Sequence, residues 1–446
     1  MDQNKNLAEL LFPHITKNPA DYEALYPPRQ LKEGARVTRF APSPTGFLHF
    51  GNLFTCLISY KIAKSTDGIF YVRVEDTDQK RKVDGAVEVM LRGLSYYGIK
   101  PDEGVIAENE EKGIYGPYKQ SERKDIYQAY AKQLVEEGLA YPCFCSEEEL
   151  ERIRESQEGE DIKGYYGEYA ACRKLSFEEI SSKILAGEKW TLRLKSPGSI
   201  DKKCVFEDMI KGKIEMPENV QDIVLLKSDG IPTYHFASVI DDHLMRTTHI
   251  VRGDEWISSC PIHLQLNKLL GFKTPKFVHV APIMKAEGEG KRKLSKRKDP
   301  EAAVTYYSEQ GYPSESVNEY MMTLANSNFE DWRRANKTED INKFPFNIKK
   351  MSVSGALFDI AKLDDISKTV ISVMDCKKVF ELSHEWAKEY CEPLARLYEA
   401  DFEYATAILN IDRGNKKPRK DIAKWSDIPD YISYMSVSYT HLRAHE

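Results

Sequence analysis

Apolar residues first fall into a readable order at Val37–Phe40, a short run that predicts a strand. The turn-rich segment APSPTG follows, and beyond it Leu48, Leu53, Leu57, Ile58 and Ile62 recur at the spacing of one helix face. That helix is expected to stop at Asp67-Gly68, where glycine can adopt the left-handed cap conformation. Ile69–Val74, β-branched and aromatic, predicts a buried strand, and a second amphipathic helix is expected from about Val83 to Tyr97. Two strand–helix units within about 60 residues predict an α/β fold, a parallel sheet with crossover helices. The weakly amphipathic residues 1–35, with Leu7, Leu10, Leu11 and the pair Pro27-Pro28, read as an extension outside the core fold.

Further on, residues 147–182 are charged and helical or looped, which suggests an insertion across the sheet. Ile223–Leu226, Ile240 with its neighbours and Thr248–Val251 read as strands that resume it, and a helix is expected over Pro261–Leu270, ending at Gly271. Residues 285–298 read as a basic loop carrying Lys285, Lys291, Arg292, Lys293, Lys296, Arg297 and Lys298. Residues 301–325 and 380–410 show helical faces and no strand alternation, so a separate α-helical region is expected there.

Composition narrows the class. A chain of 446 residues, at about 150 per domain, predicts roughly three domains. With 41% hydrophobic and 30% charged residues it can bury a sizeable core, which excludes disorder throughout. Lys and Arg number 64 against 70 Asp and Glu, so a simple basic coat for nucleic acid is excluded and any polyanion contact must be local. No apolar run approaches the roughly 20 residues of a membrane helix and the N-terminus does not read as a secretory signal, so the expected location is the cytoplasm. Eight cysteines in this length are too dilute for a disulfide framework and read as reduced thiols or, in one cluster, metal ligands.

The segment RFAPSPTGFLHFGN puts Arg39 near the end of the first strand and His49 at the opening of the next helix. Ligands of open α/β sheets sit in that crevice, where a helix start offers unpaired N–H groups to phosphate and Gly46 and Gly51 permit close approach. The spacing fits neither the P-loop nor the G-x-G-x-x-G of dinucleotide enzymes. Taken singly, it is a proline-rich connecting turn with a solvated histidine. Some 240 residues later, GEGKRKLSKRKDP places cations on a glycine-punctuated loop free to close over a transferring phosphate; taken singly, that run is a solvated basic surface.

Together, in this order, HFGN (His49 to Asn52) and KLSKR (Lys293 to Arg297) resemble the two signature motifs of the class I aminoacyl-tRNA synthetases. The longer strings RFAPSPTGFLHFGN, YVRVEDTD, DGIPTYHFASVIDDHLM and VRGDEW are similar to the glutamyl-tRNA synthetase family from about Arg36 to Leu363. The related glutaminyl family has a different phrase where RVEDTD stands. The resemblance implies a Rossmann-like catalytic domain at 36–142 and 216–285, with an inserted acceptor-end-binding subdomain at 143–215. It further implies a KLSKR loop and stem-contact helical region at 286–363 and a partial α-helical anticodon-binding domain at 364–435.

The same resemblance implies residue roles. Arg39 and Arg252 would hold the γ-carboxylate of glutamate, where a guanidinium donates to both oxygens but would meet the NH2 of glutamine. Glu75 would take the α-ammonium, Tyr234 would line the pocket and Ser43 would face the substrate; Ser238 stands where relatives often carry Asn. The structural alternatives are an Arg39–Glu75 pair across neighbouring strands and Tyr234 as ordinary core. His49, Lys293 and Lys296 would stabilise phosphate charge, and Gly51, Asn52, Trp256 and Leu294 would border ATP, which brings Mg2+ with it. Cys143, Cys145 and Cys172 resemble the zinc-binding insertion of some relatives, but Lys174 stands where relatives supply His and Tyr169 is the candidate oxygen. Buried free thiols are the preferred reading there.

The expected partners are tRNA(Glu), glutamate and ATP, with no membrane and a monomeric chain. Lys416, Lys417, Arg419 and Lys420 are candidate tRNA phosphate contacts, or a solvated charge cluster. Residues 436–446 match nothing expected of the family and read as a possible foreign tail after a truncated anticodon region. Two other readings compete. One is a tRNA-modifying relative, which residues 364–430 argue against; the other is a silent RNA-binding protein, which intact His49, Glu75, Arg252, Lys293 and Lys296 argue against.

Overall fold

The structure is a computed structural model that describes residues 3–46, 48–78, 80–81, 83–295 and 297–433. Lys296 and the tail 436–446 lie outside the described residues. The described residues form two compact units. One gathers those up to 46, 62–87 and 101–279; the other gathers 48–61, 88–100 and those from 280 onward.

In the first unit the predicted strands pair in parallel. Val37–Phe40 runs beside Ile69–Val72, which pairs in parallel with Glu103–Ala107, and Glu110–Lys112 closes that sheet antiparallel. All four residues of Val37–Phe40 are buried, as both faces of a covered parallel sheet require. Ile69 N–H donates to the Arg36 carbonyl at 3.0 Å. The turn before it works differently from the expectation: Asp67 takes the left-handed conformation (φ 52°). Gly68 is needed for space, since a Cβ there would lie 1.9 Å from the Arg36 carbonyl oxygen.

A second sheet of the same unit orders the strands as His249–Gly253, Lys276–Val280, Lys203–Asp208 and Gly212–Pro217. A third, Ala140–Cys143, Thr191–Leu194 and Val224–Leu226, is antiparallel. The two helices flanking the cysteine region begin with reciprocal caps, Ser146 with Glu149 and Ser176 with Glu179, at the S-x-x-E spacing that satisfies two orphan donors each. The strand expected around Ile240 is instead the helix Tyr234–Leu244. It is buried on nearly all sides, with the polar Ser238, Asp241 and Asp242 as well as Phe236, Val239, Ile240 and Leu244 covered, so its polar positions mark no solvent face. The N-terminal segment expected outside the core packs on it: Phe12, Tyr22 and Tyr26 are buried, and Arg29 meets Glu103 at 2.7 Å.

In the second unit the expected basic loop is a β-hairpin, Met284–Glu287 against Gly290–Lys293, turning at Gly288 (φ +59°). The expected helices follow, among them Ser314–Ala325, Cys376–Tyr390, Glu392–Ala400 and Phe402–Leu409. The last three pack Val379, Phe380, Leu394, Tyr398 and Leu409 into one core with Trp425. Among the described residues no helix is long and apolar enough to cross a membrane.

Candidate active site

In the first unit, strand ends and the helix Tyr234–Leu244 converge on a buried ionic cluster. Arg39 donates from Nε and Nη2 to the two oxygens of Asp242 at 3.0 and 3.3 Å, and from Nη1 to the Val251 carbonyl at 3.3 Å. Arg73 donates to Asp242 and to Glu75, both at 2.8 Å, and Arg123 donates to Asp241 at 2.7 Å. Asp241 also accepts from Gln120 at 2.9 Å and Tyr127 at 2.8 Å. Three guanidiniums thus face three carboxylates, all buried. The alternative of an Arg39–Glu75 pair is replaced by two others: Arg39 holds Asp242 and Glu75 holds Arg73.

Burial pushes the Glu75 carboxyl above its usual range, opposed by Arg73. Burial would likewise raise Asp242, but Arg39 and Arg73 outweigh it and hold that carboxyl low. Arg73, Asp241 and Asp242 were not singled out by sequence reasoning. The available signal was a charged residue within the apolar run IFYVRV, which must be paired when buried.

Arg252 is also buried in this unit and, unlike Arg39, Arg73 and Arg123, has no carboxylate within ion-pair distance among the described residues, a property it shares with the buried Arg193. Its Nε donates to His279 Nε2 at 3.1 Å and its Nη2 to Cys260 Sγ at 3.3 Å, while its buried Nη1 has no hydrogen-bond partner. Tyr234 belongs to the same cluster. Its hydroxyl is pushed up by burial and by Glu75, against the pull of Arg252 and Arg39, and its ring lies 4.6 Å from that of Trp256. The structure therefore assembles Arg39, Glu75, Tyr234, Arg252 and Trp256 in one unit. Ser43 stays exposed on its turn, and Ser238 is buried with its hydroxyl 3.5 Å from Arg73 Nη2.

The second unit carries the other set. His49 precedes the helix Phe50–Lys64, and its Nδ1 accepts the Gly51 N–H at 2.9 Å. Asn52 is exposed at the helix start, Lys293 is exposed at the end of the hairpin and Leu294 behind it is buried. Not every cation of the basic stretch is available to phosphate. Arg292 grips Asp299 through two bonds at 2.6 and 2.8 Å, and Lys285 pairs with Asp299 and Glu301. The Arg292 bond, against the opposing effect of burial, holds Asp299 well below the usual carboxylate range. Asp299 also accepts the Ser295 N–H at 2.9 Å and so clips the loop that follows the hairpin.

At the end of the strand Ala140–Cys143 the sulfurs of Cys143, Cys145 and Cys172 all lie within 4.8 Å of one another. Cys145 and Cys172 are 3.6 Å apart, and the Tyr165 hydroxyl lies 3.4 Å from Cys145 Sγ. Tyr169 points elsewhere, 3.5 Å from Glu160, so the oxygen beside the thiols belongs to Tyr165. A tetrahedron with Zn–S near 2.3 Å and Zn–O near 2.0 Å puts neighbouring ligand atoms about 3.5 to 3.8 Å apart, close to the Cys145–Cys172 and Cys145–Tyr165 separations.

The family model tRNA synthetases class I (E and Q), catalytic domain, matches residues 36–365, which with the fold places the chain in that class. The glutamate–tRNA ligase of Clostridium perfringens strain 13 is 52% identical over 431 residues, covering 96% of this chain and 79% of that protein. That of Acetivibrio thermocellus is 49% identical over 437 residues, covering 98% and 80%. The solved structure of a glutamate tRNA ligase from Elizabethkingia meningosepticum, in complex with its amino acid, superposes with a TM-score of 0.77 at 31% identity, covering 90% of this chain and 80% of that one. The chain belongs to the glutamate–tRNA ligase family.

Proposed function

We propose that this chain joins L-glutamate to the 3′ end of tRNA(Glu) in two steps, through a glutamyl-adenylate. The single observation that carries the assignment of the pocket is Arg252, a buried cation without a carboxylate partner and with one donor unused that acts on Tyr234; Arg193 shares the first three properties but lies over the Tyr165 ring instead. A guanidinium in that state favours an incoming carboxylate, and the γ-carboxylate of glutamate supplies the missing charge and acceptor. Glutamine would turn an NH2 group toward it. Glu75 meets the α-ammonium, its Oε1 held by Arg73 at 2.8 Å.

The α-carboxylate attacks the α-phosphorus of ATP in line, pyrophosphate leaves, and the terminal adenosine hydroxyl of the tRNA then takes the glutamyl group. His49, Lys293 and Lys296 stabilise charge that grows on the phosphate oxygens, Gly51 and Asn52 open the helix toward phosphate, and Leu294 and Trp256 border the base. Mg2+ arrives with ATP because phosphate oxygens provide most of its ligands. Residues 143–215 meet the tRNA acceptor end, 286–363 its stem and 364–435 the anticodon side. The chain acts as a monomer in the cytoplasm.

The test is glutamate-dependent exchange of labelled pyrophosphate into ATP, with and without tRNA(Glu), glutamine serving as the control amino acid. Exchange with glutamate that requires tRNA is the expected result. Exchange without tRNA would favour the tRNA-modifying relative, and its absence in both arms from a folded sample would remove the assignment.

Cys143, Cys145, Cys172 and Tyr165 hold zinc in a structural role, the thiolates supplying three ligands and the phenol oxygen the fourth. Protein prepared in metal-free buffer is expected to carry about one zinc per chain by elemental analysis, with the metal lost in Cys172→Ser. Less than a tenth of an equivalent in the parent protein would end the proposal.

A further inference from the structure

Arg252 is oriented by a short chain of buried groups that the binding chemistry itself does not require. Asp208 Oδ2 accepts from His279 Nδ1 at 2.7 Å and from the His279 backbone N–H at 3.0 Å. The Nδ1 proton is thereby fixed, so the lone pair lies on Nε2, where the Arg252 Nε–H donates at 3.1 Å. Asp208 is itself held, since its Oδ1 accepts the N–H groups of Ile210 and Lys211 at 2.9 Å each. The side chains of Asp208 and His279 are both 0% accessible. On the other edge of the guanidinium, Nη2 rests against Cys260 Sγ, and the group sits 5.4 Å from the centre of the Phe277 ring. With Nε and Nη2 committed, the plane of the fork is set and Nη1 is the donor left over.

The chemistry of the aligning partner matters. A carboxylate directly on Arg252 would align it equally well, but it would neutralise the cation and compete with an anionic ligand for the same donors. A neutral imidazole aligns through its lone pair and leaves the positive charge uncancelled; the carboxylate that fixes the imidazole stands one group further away.

We infer that Asp208 and His279 are positioning residues that aim Arg252 at the side-chain carboxylate of the amino acid, which makes His279 a determinant of glutamate over glutamine. This rests on the role proposed for Arg252, and the test separates the two. Steady-state kinetics are measured with full-length enzyme for His279→Asn, His279→Gln and Arg252→Gln, with circular dichroism on each sample. Asn can still donate to Asp208 but has no acceptor at the Nε2 position, whereas the longer Gln places its amide oxygen near it.

His279→Asn is expected to raise the glutamate KM about tenfold, the scale of one hydrogen bond to a charged group, and to narrow the preference over glutamine by a similar factor. Its kcat and ATP KM stay within about twofold of the parent values, because Arg252 is displaced and the phosphate chemistry is untouched. His279→Gln recovers most of the glutamate KM, and Arg252→Gln raises it at least tenfold. A raised KM in Arg252→Gln beside parent-like His279→Asn kinetics would overturn the positioning role and leave the Arg252 reading standing. Unchanged KM in Arg252→Gln would overturn both. Parallel losses for glutamate and ATP in His279→Asn, unrescued by Gln, would reduce His279 to a packing residue and also overturn the inference.

Discussion

Asp242→Asn is expected to lower the free energy of unfolding by about 3–5 kcal/mol, the cost of leaving buried charge uncompensated. The side chain accepts from Arg39 Nε at 3.0 Å, Arg73 Nη1 at 2.8 Å and Arg39 Nη2 at 3.3 Å, so both carboxylate oxygens are in use. An amide has one acceptor oxygen, and whichever way it is turned its NH2 group meets a guanidinium donor. The substitution also leaves three guanidiniums facing two carboxylates where burial excludes a compensating counterion. The loss should therefore greatly exceed that of removing a surface pair such as Lys203–Glu215, worth about 1 kcal/mol at most. Urea unfolding of parent and variant by far-UV circular dichroism measures it, and a change below about 1 kcal/mol would show that the cluster does not bear on stability. Because Arg39 also belongs to the proposed glutamate pocket, the variant should lose glutamate affinity even where it remains folded.

What the sequence conveyed about this cluster, and what it hid, follows from the reach of its signals. The strand Val37–Phe40, the helix after it and the strand at Ile69 were legible because continuous apolar runs and a helical period are local properties. The helix at Ile240 was not, because a short apolar run such as Phe236–Ile240 reads alike as a covered strand or a covered helix, and the polar Asp241 and Asp242 beside it are buried against cations rather than marking a solvent face. The hairpin at 284–293 was concealed by its charge: pairing there sets Lys291, Arg292 and Lys293 opposite Ala286, Lys285 and Met284 rather than alternating apolar positions. The candidate pocket residues Arg39, Glu75, Tyr234 and Arg252 became readable only through their motifs, since nothing local to Arg39 announces an Asp242 some 200 positions away. Tyr165 shows the same limit. Position 169 is closer in sequence to Cys172, yet the turns between them bring the hydroxyl of residue 165 to the thiols.

His49→Asn is expected to reduce glutamate-dependent pyrophosphate exchange by about 10² to 10³, the usual consequence of removing one donor aimed at developing charge. His49 Nδ1 accepts the Gly51 N–H at 2.9 Å, so in the neutral ring the proton resides on Nε2. The ring is thus a donor on its far edge in the neutral state, and phosphate stabilisation does not depend on protonating it. Asn reproduces the near edge, since its Oδ1 can accept from Gly51, and it lacks any donor at the Nε2 position. The fold and the helix start should survive, which directs the loss to the chemical step: kcat falls while the glutamate KM stays within about threefold. Gln, whose NH2 reaches further, should recover part of the rate. The local glycine sharpens the same point, because a Cβ at residue 51 would sit 3.2 Å from His49 Nδ1 and push on the ring that this contact orients. Gly51→Ala should therefore lower kcat in the same direction by a smaller factor. Exchange within fivefold of the parent in His49→Asn would mean that the lysines of the KLSKR segment carry the charge alone.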